Sequence, residues 1–164
     1  MHLIPLDATR SAEPIVTRIS NGEASPVASI HDSLLTGYTV DGEGRKIVLH
    51  TEPHQGGGTV AIDVIFSGVV ACHFEGDCLK NIVFDVEEVP ASTIIGDGSK
   101  FVERERLYGW PRDGDPRRES AEQFFSRMGC RIFELSCSYG MQGWAAAEHM
   151  EQVVGEPRLK TSSG

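Results

Sequence analysis

The chain has 164 residues, 40% of them hydrophobic and 24% charged, and a formal net charge of −9 at neutral pH. This length fits one domain with room for tails, and this composition excludes disorder of the whole chain. The negative charge disfavours general nucleic-acid binding, because phosphates repel it, and suits either plain solubility or a basic protein partner.

Residues 1–28 carry Pro5, Pro14, Gly22 and Pro26 among mixed polar residues, which predicts an N-terminal arm. Within it, Ile15 to Ile19 has the composition of a short edge strand. The start lacks a cationic region and is interrupted by Pro5 and Asp7, so no signal peptide is expected. No stretch reaches the roughly 18 apolar residues of a membrane span. A cytoplasmic protein without membrane contact is the expectation.

The main domain is expected over residues 29–154. Leu34, Thr36, Tyr38 and Val40 alternate as one face of a strand, Asp41 to Gly44 forms a turn, and Ile47, Leu49 and Thr51 alternate in a second strand. A loop from His50 to Gly58, with three consecutive glycines, leads to a third strand carrying Val60, Ile62, Val64 and Phe66 on one face and Asp63 on the other. Gly68 predicts a bulge or bend before a fourth strand over 69–74. Gly76 and Asp77 turn the chain into a fifth strand over 81–87, with Ile82, Phe84 and Val86 expected inward and Pro90 ending it.

Gly96-Asp97-Gly98 breaks any helix over 91–98, and Ser99 is placed to cap a short helix carrying Phe101, Val102 and Leu107. A polar loop follows Trp110. Asp115 and Pro116 look like an N-cap and first helical residue, and Ala121, Phe124, Phe125 and Met128 make one apolar helical stripe closed by Gly129. Residues 132–139 predict a strand with Phe133, Leu135, Cys137 and Tyr139 on one face, followed by a turn over Gly140 to Gly143. Residues 144–153 fit a helix by the propensity of Ala145 to Glu148, or a strand returning from the tight turn. Residues 155–164 predict a disordered tail. Strands joined by short turns, with one or two helices, describe an α+β domain built on a mainly antiparallel sheet. Strand order and oligomeric state are not legible.

Catalytic and metal motifs are sparse. Gly56-Gly57-Gly58 lacks the Lys-Ser/Thr of a phosphate loop, and Glu148-His149 lacks the second histidine of a zinc-protease helix. His50 and His54 bracket Pro53 and fit exposed loop histidines better than metal ligands. Cys72, Cys78, Cys130 and Cys137 match no common zinc spacing and are expected as free thiols. No cofactor or metal is expected. Asp32 is adjacent to His31 in an apparent strand start, where neighbours point apart, so it is expected to turn the chain rather than orient the imidazole. The chemical alternative is a small enzyme using His31, His73 or Ser138.

Two stretches carry a resemblance. One runs from His31-Asp32-Ser33 and Gly37 through Phe66-Ser67-Gly68-Val69 and Phe74 to Asn81-Ile82-Val83-Phe84-Asp85-Val86-Glu87. The other is Phe133-Glu134-Leu135-Ser136-Cys137-Ser138-Tyr139-Gly140-Met141-Gln142-Gly143-Trp144. Together, over roughly residues 30–152, they resemble small bacterial domains of uncharacterised function, some classed as immunity-protein-like by association with polymorphic toxin systems. The resemblance implies a strand after Trp144 and a non-enzymatic, partner-occluding role, and it carries no catalytic residues. Tyr38, Trp110, Tyr139 and Trp144 are then the expected anchors, with Asp113, Asp115 and Glu119 as rim charges facing a basic partner.

Overall fold

The structure, a computed structural model, describes residues 29–54, 60–95 and 119–155. Within these residues eight strands follow one another as β1 (Ser33–Asp41), β2 (Lys46–Pro53), β3 (Ile62–Ser67), β4 (Ala71–Glu75), β5 (Asn81–Val89), β6 (Arg131–Tyr139), β7 (Gln142–Ala147) and β8 (His149–Val154). Among the described residues two short helices, α1 (Ala91–Ile95) and α2 (Ala121–Arg127), lie between β5 and β6. Every pairing among these strands is antiparallel, so a mainly antiparallel sheet with few helical residues is the architecture.

The sheet order is β4-β7-β6-β5-β1-β2-β3-β8, and it closes on itself. β3 and β4 are separated only by residues 68–70, and β7 and β8 only by Glu148. The two bent ribbons pair along both halves, β3 with β8 and β4 with β7, and the bonds Glu148 N–H to Ser67 O and Val70 N–H to Ala146 O carry the ladder around the corner. Because β7 also pairs with β6 and β3 with β2, the result is a barrel. The rings of Phe66 on β3 and Phe133 on β6 meet across its interior at 5.8 Å. Gly68 makes the corner possible: its φ of +67° is open to glycine, and a Cβ there would strike the Glu148 side chain.

The barrel is filled by its inward alternate residues, among them Leu35, Ile47, Leu49, Ile62, Val64, Phe66, Val83, Leu135 and Met141. A second core lies outside the wall. There α2 presses Phe124, Phe125 and Ala121 onto Ile132, Trp144 and Ala146, the outward residues of β6 and β7. The apolar stripe of the sequence is therefore a helix, but its N-cap is Ser120 rather than Asp115. Ser120 Oγ accepts from Gln123 N–H at 3.2 Å, and Gln123 Oε1 accepts from Ser120 N–H at 2.9 Å, a complete capping box. Gly129, at φ +68°, ends the helix as expected, with Cys130 N–H reaching Phe125 O and Gly129 N–H reaching Ser126 O.

A short helix forms at Ala91–Ile95, directly after Pro90 and ahead of Gly96. Other expectations need correction. His50 belongs to β2, not to a loop. The buried face of β1 is Ser33 and Leu35, not the face of Leu34 and Thr36, and the strand shifts register between Leu35 and Gly37. Residues 144–153 are extended and not helical, and they divide into two strands with different partners. The arm over 1–28, the triple glycine, Ser99 to Leu107, Trp110, Asp113, Asp115 and the tail over 156–164 lie outside the described residues.

Candidate functional site

The outer face of β5 and β6 changes character along its length. At the Val89 end it is covered, since Val89 packs with Ile132 beneath the helices. In the middle it is acidic. Glu87 stands opposite Glu134 across the ladder, and Asp85 lies two residues before Glu87. A hydrogen bond that the protonated Glu87 carboxyl donates to Asp85, together with the charge of Asp85, and with Glu134 adding to the repulsion, holds the Glu87 carboxyl above the usual carboxylate range. At the far end the face is apolar and open: Phe84 is 48% exposed, Tyr139 59%, and Leu79 in the preceding loop 86%.

Two register shifts build that open end. Ile82 pairs with Tyr139, Val83 with Cys137 and Asp85 with Ser136, so Ser138 is an extra residue on β6 and Phe84 an extra residue on β5. A bulge of this kind re-aims side chains. Here it keeps Val83 and Val86 in the barrel while Phe84 stays outside, which corrects the expectation that Ile82, Phe84 and Val86 point inward together. Ile82 and Tyr139, opposite one another, share the outer face with Phe84, and Leu34 of β1 stands beside Ile82.

The start of β1 contributes a polar edge. Asp32 has a φ of +57°, so it turns the chain as expected, and the turn also brings its carboxylate to His31 Nδ1 at 3.0 Å. The expectation that adjacent side chains diverge fails because the residue is in a turn and not in the strand. The His31 ring then lies 4.7 Å from the ring of Phe84, tilted by 58°. Below the patch, Asn81 is a buried tie. Its Oδ1 accepts from Met141 N–H at 2.9 Å and Cys78 N–H at 3.2 Å, and its amide donates to Asp77, so the loop before β5 and the turn before β7 are held together.

The residues expected from sequence are scattered. Tyr139 is in the patch. Tyr38 is 42% exposed on β1, with its ring against Phe74 of β4 at 5.8 Å. Glu119 precedes α2 and is gripped by Arg127 through two bonds of 2.9 and 3.0 Å, which hold its carboxyl below its ordinary range. Trp144 is only 4% exposed, with its ring edge-on to Phe125 under α2, so it is a packing residue here and not a surface anchor. Phe84 was missed because strict alternation has no signature for an inserted residue. The adjacent Phe84-Asp85 pair, which breaks the apolar-in, polar-out rhythm, was the available hint.

His31, His73 and Ser138 are engaged separately. His31 pairs with Asp32, His73 lies by Glu75 and the Trp144 ring, and Ser138 Oγ donates to Ile82 O at 3.3 Å. Cys72, Cys78, Cys130 and Cys137 are free thiols, and burial pushes Cys137 up to about 11. Among the described residues, no three His, Cys, Asp or Glu side chains converge as metal ligands, and no helix is long and apolar enough to cross a membrane.

No protein-family model and no curated protein matches this chain.

Proposed function

We propose that this chain is a protein-binding domain of the immunity-protein kind, whose outer face of β5 and β6 neutralises a basic toxin by occlusion, a non-enzymatic role for that face. The observation that carries this reading is the bulge that keeps Phe84 outside the barrel, beside Ile82 and Tyr139 and next to Asp85, Glu87 and Glu134. An exposed aromatic patch with a charged flank is the composition of a partner-binding core and rim. The net charge of −9 supports a basic partner, because it would speed the encounter at low salt. The free thiols support a reducing, cytoplasmic location.

The test is capture from the native host's lysate by the full chain and, in parallel, by F84S/Y139S and E87K/E134K. A basic protein retained by the native chain, lost by the first variant and bound more slowly by the second at low salt supports the reading. Equal recovery by all three chains overturns it. The substitutions are on the surface, so far-UV circular dichroism and a melting curve verify that each variant is folded.

A further inference from the structure

A different face of the barrel holds a polar row that the binding reading does not use. Three adjacent strands each contribute one outward side chain: Thr39 from β1, His50 from β2 and Asp63 from β3. His50 stands directly opposite Asp63 in the ladder, and its Nδ1 lies 2.9 Å from Asp63 Oδ1. Its other nitrogen, Nε2, lies 3.1 Å from Thr39 Oγ1. The carboxylate can only accept, so Nδ1 carries the proton of the neutral ring and donates it to Asp63. Nε2 is then an acceptor, and the Thr39 hydroxyl donates to it. Hydroxyl, imidazole and carboxylate thus stand in the order, tautomer and spacing of a nucleophile, its base and the group that orients the base.

Three further features suit this row to chemistry. His50 and Asp63 are mostly covered, whereas Thr39 is exposed, so the base is held while the hydroxyl remains accessible. The residue opposite His50 on β1 is Gly37, where a Cβ would meet nothing within 4 Å, so one side of the imidazole is open. Finally, β5 pairs with β1 only over Ser33 to Leu35, so among the described residues the other edge of β1 around Thr39 has no strand partner. Any backbone N–H directed to that edge would be free to donate to an oxyanion beside Thr39. Val48, opposite Thr39, and Ile65, opposite Val48, give the outer face an apolar floor there.

We propose that Thr39, His50 and Asp63 form an acyl-transfer site that accepts small activated esters. In the first step Thr39 Oγ bonds to the ester carbonyl carbon while its proton passes to His50 Nε2, and the carbon–oxygen bond to the leaving group breaks as that oxygen takes the proton from His50, which returns the imidazole to its neutral form. In the second step water attacks the acyl-threonine, His50 takes the water's proton, and Thr39 Oγ leaves and regains a proton as the carboxylic acid is released. Asp63 is a positioning residue, since it acts only through His50.

The experiment uses the full chain and p-nitrophenyl acetate, with p-nitrophenolate release followed optically and the acetyl group located by peptide mass mapping. The native chain should give a burst, with the acetyl group on Thr39. T39V should lose both and fall about a hundred-fold in rate, the scale of a positioned base and nucleophile, while T39S should keep them. H50Q should fall similarly. D63N should fall less, and mainly in kcat rather than KM, because the imidazole loses the partner that orients it without losing the nucleophile. A row that only holds strands together gives the buffer rate in the native chain, and that result overturns the proposal. An acetyl group on His50 or a lysine, with T39V unaffected, overturns it equally.

Discussion

The outer wall of β6 and β7 and the outer wall of β5 with the end of β6 begin as similar surfaces and end differently. On the first, outward Ile132, Trp144 and Ala146 are sealed by Phe124 and Phe125 of α2. On the second, outward Ile82, Phe84 and Tyr139 have no helix over them among the described residues, and Phe84 and Tyr139 stay about half exposed. A barrel with its interior filled does not need either outer face for its own core. Where the chain supplies a helix the outer face becomes a second core, and where it does not the apolar residues remain available to a partner. Closure of the sheet is what separates these two fates, because the inward set alone fills the barrel.

The sharpest way to break this contrast is Trp144→Ala. If the helix-covered wall is true core, removing a buried indole should cost about 3–5 kcal/mol of stability, read from urea unfolding monitored by Phe and Tyr signals and far-UV circular dichroism. F125A, which removes the ring packed edge-on against it, should cost a similar amount, and the double variant less than the sum, since the two share one contact. A loss under about 1 kcal/mol, the ordinary scale of a mild substitution, would mean that the wall under α2 is no more a core than the open one.

The same substitution type on the open wall should separate stability from binding. Phe84→Ser should change unfolding free energy by no more than about 0.5–1 kcal/mol, with part of that from the lost contact with His31. Its effect on the captured partner should be larger, about 2 kcal/mol or roughly thirty-fold in Kd if Phe84 anchors the contact. Tyr139→Ser should behave likewise. A Phe84 variant that unfolds early and binds normally would assign the residue to the fold and not to the surface.

How much of this was legible follows from what each signal encodes. The strands of the hairpin at Asp41 to Gly44, the helix end at Gly129 and the bend at Gly68 came through because turn chemistry is local. The fate of Trp144 and Phe84 did not. Which outward residue gains a cover depends on where α2 lands, and which residue of β5 is inserted depends on its pairing with β6, both nonlocal facts. The catalytic-looking row was hidden for the same reason. Thr39, His50 and Asp63 are far apart in sequence and meet only because β1, β2 and β3 are neighbours in register. His31 and Asp32 show the converse error, where adjacency was discounted by assuming a strand in place of a turn.

The smallest predicted effect concerns charge, and it has opposite signs on the two walls. Glu119, beside α2, is held below its ordinary range by Arg127, so the folded state binds its proton less readily than the unfolded chain does. Its stabilising contribution is present above the unfolded carboxylate range and disappears as pH falls through the lower folded value. Glu87, on the open wall, is held above its ordinary range by Asp85, with Glu134 contributing, so the folded state binds its proton more readily. Its contribution is present below the unfolded range and is lost as pH rises through the higher folded value, leaving carboxylate repulsion on the surface at neutral pH. E119Q should therefore lower the melting temperature at pH 7 and match the native chain in acid, whereas E87Q should raise it at pH 7 and match in acid. Both shifts should be small, because charge interactions near the surface are weakened by water, and both should shrink in high salt. If E87Q stabilises the chain but weakens capture of a basic partner, the repulsion on the open wall is kept for binding. If it weakens neither, the acidic flank is dispensable, and the apolar patch alone must account for recognition.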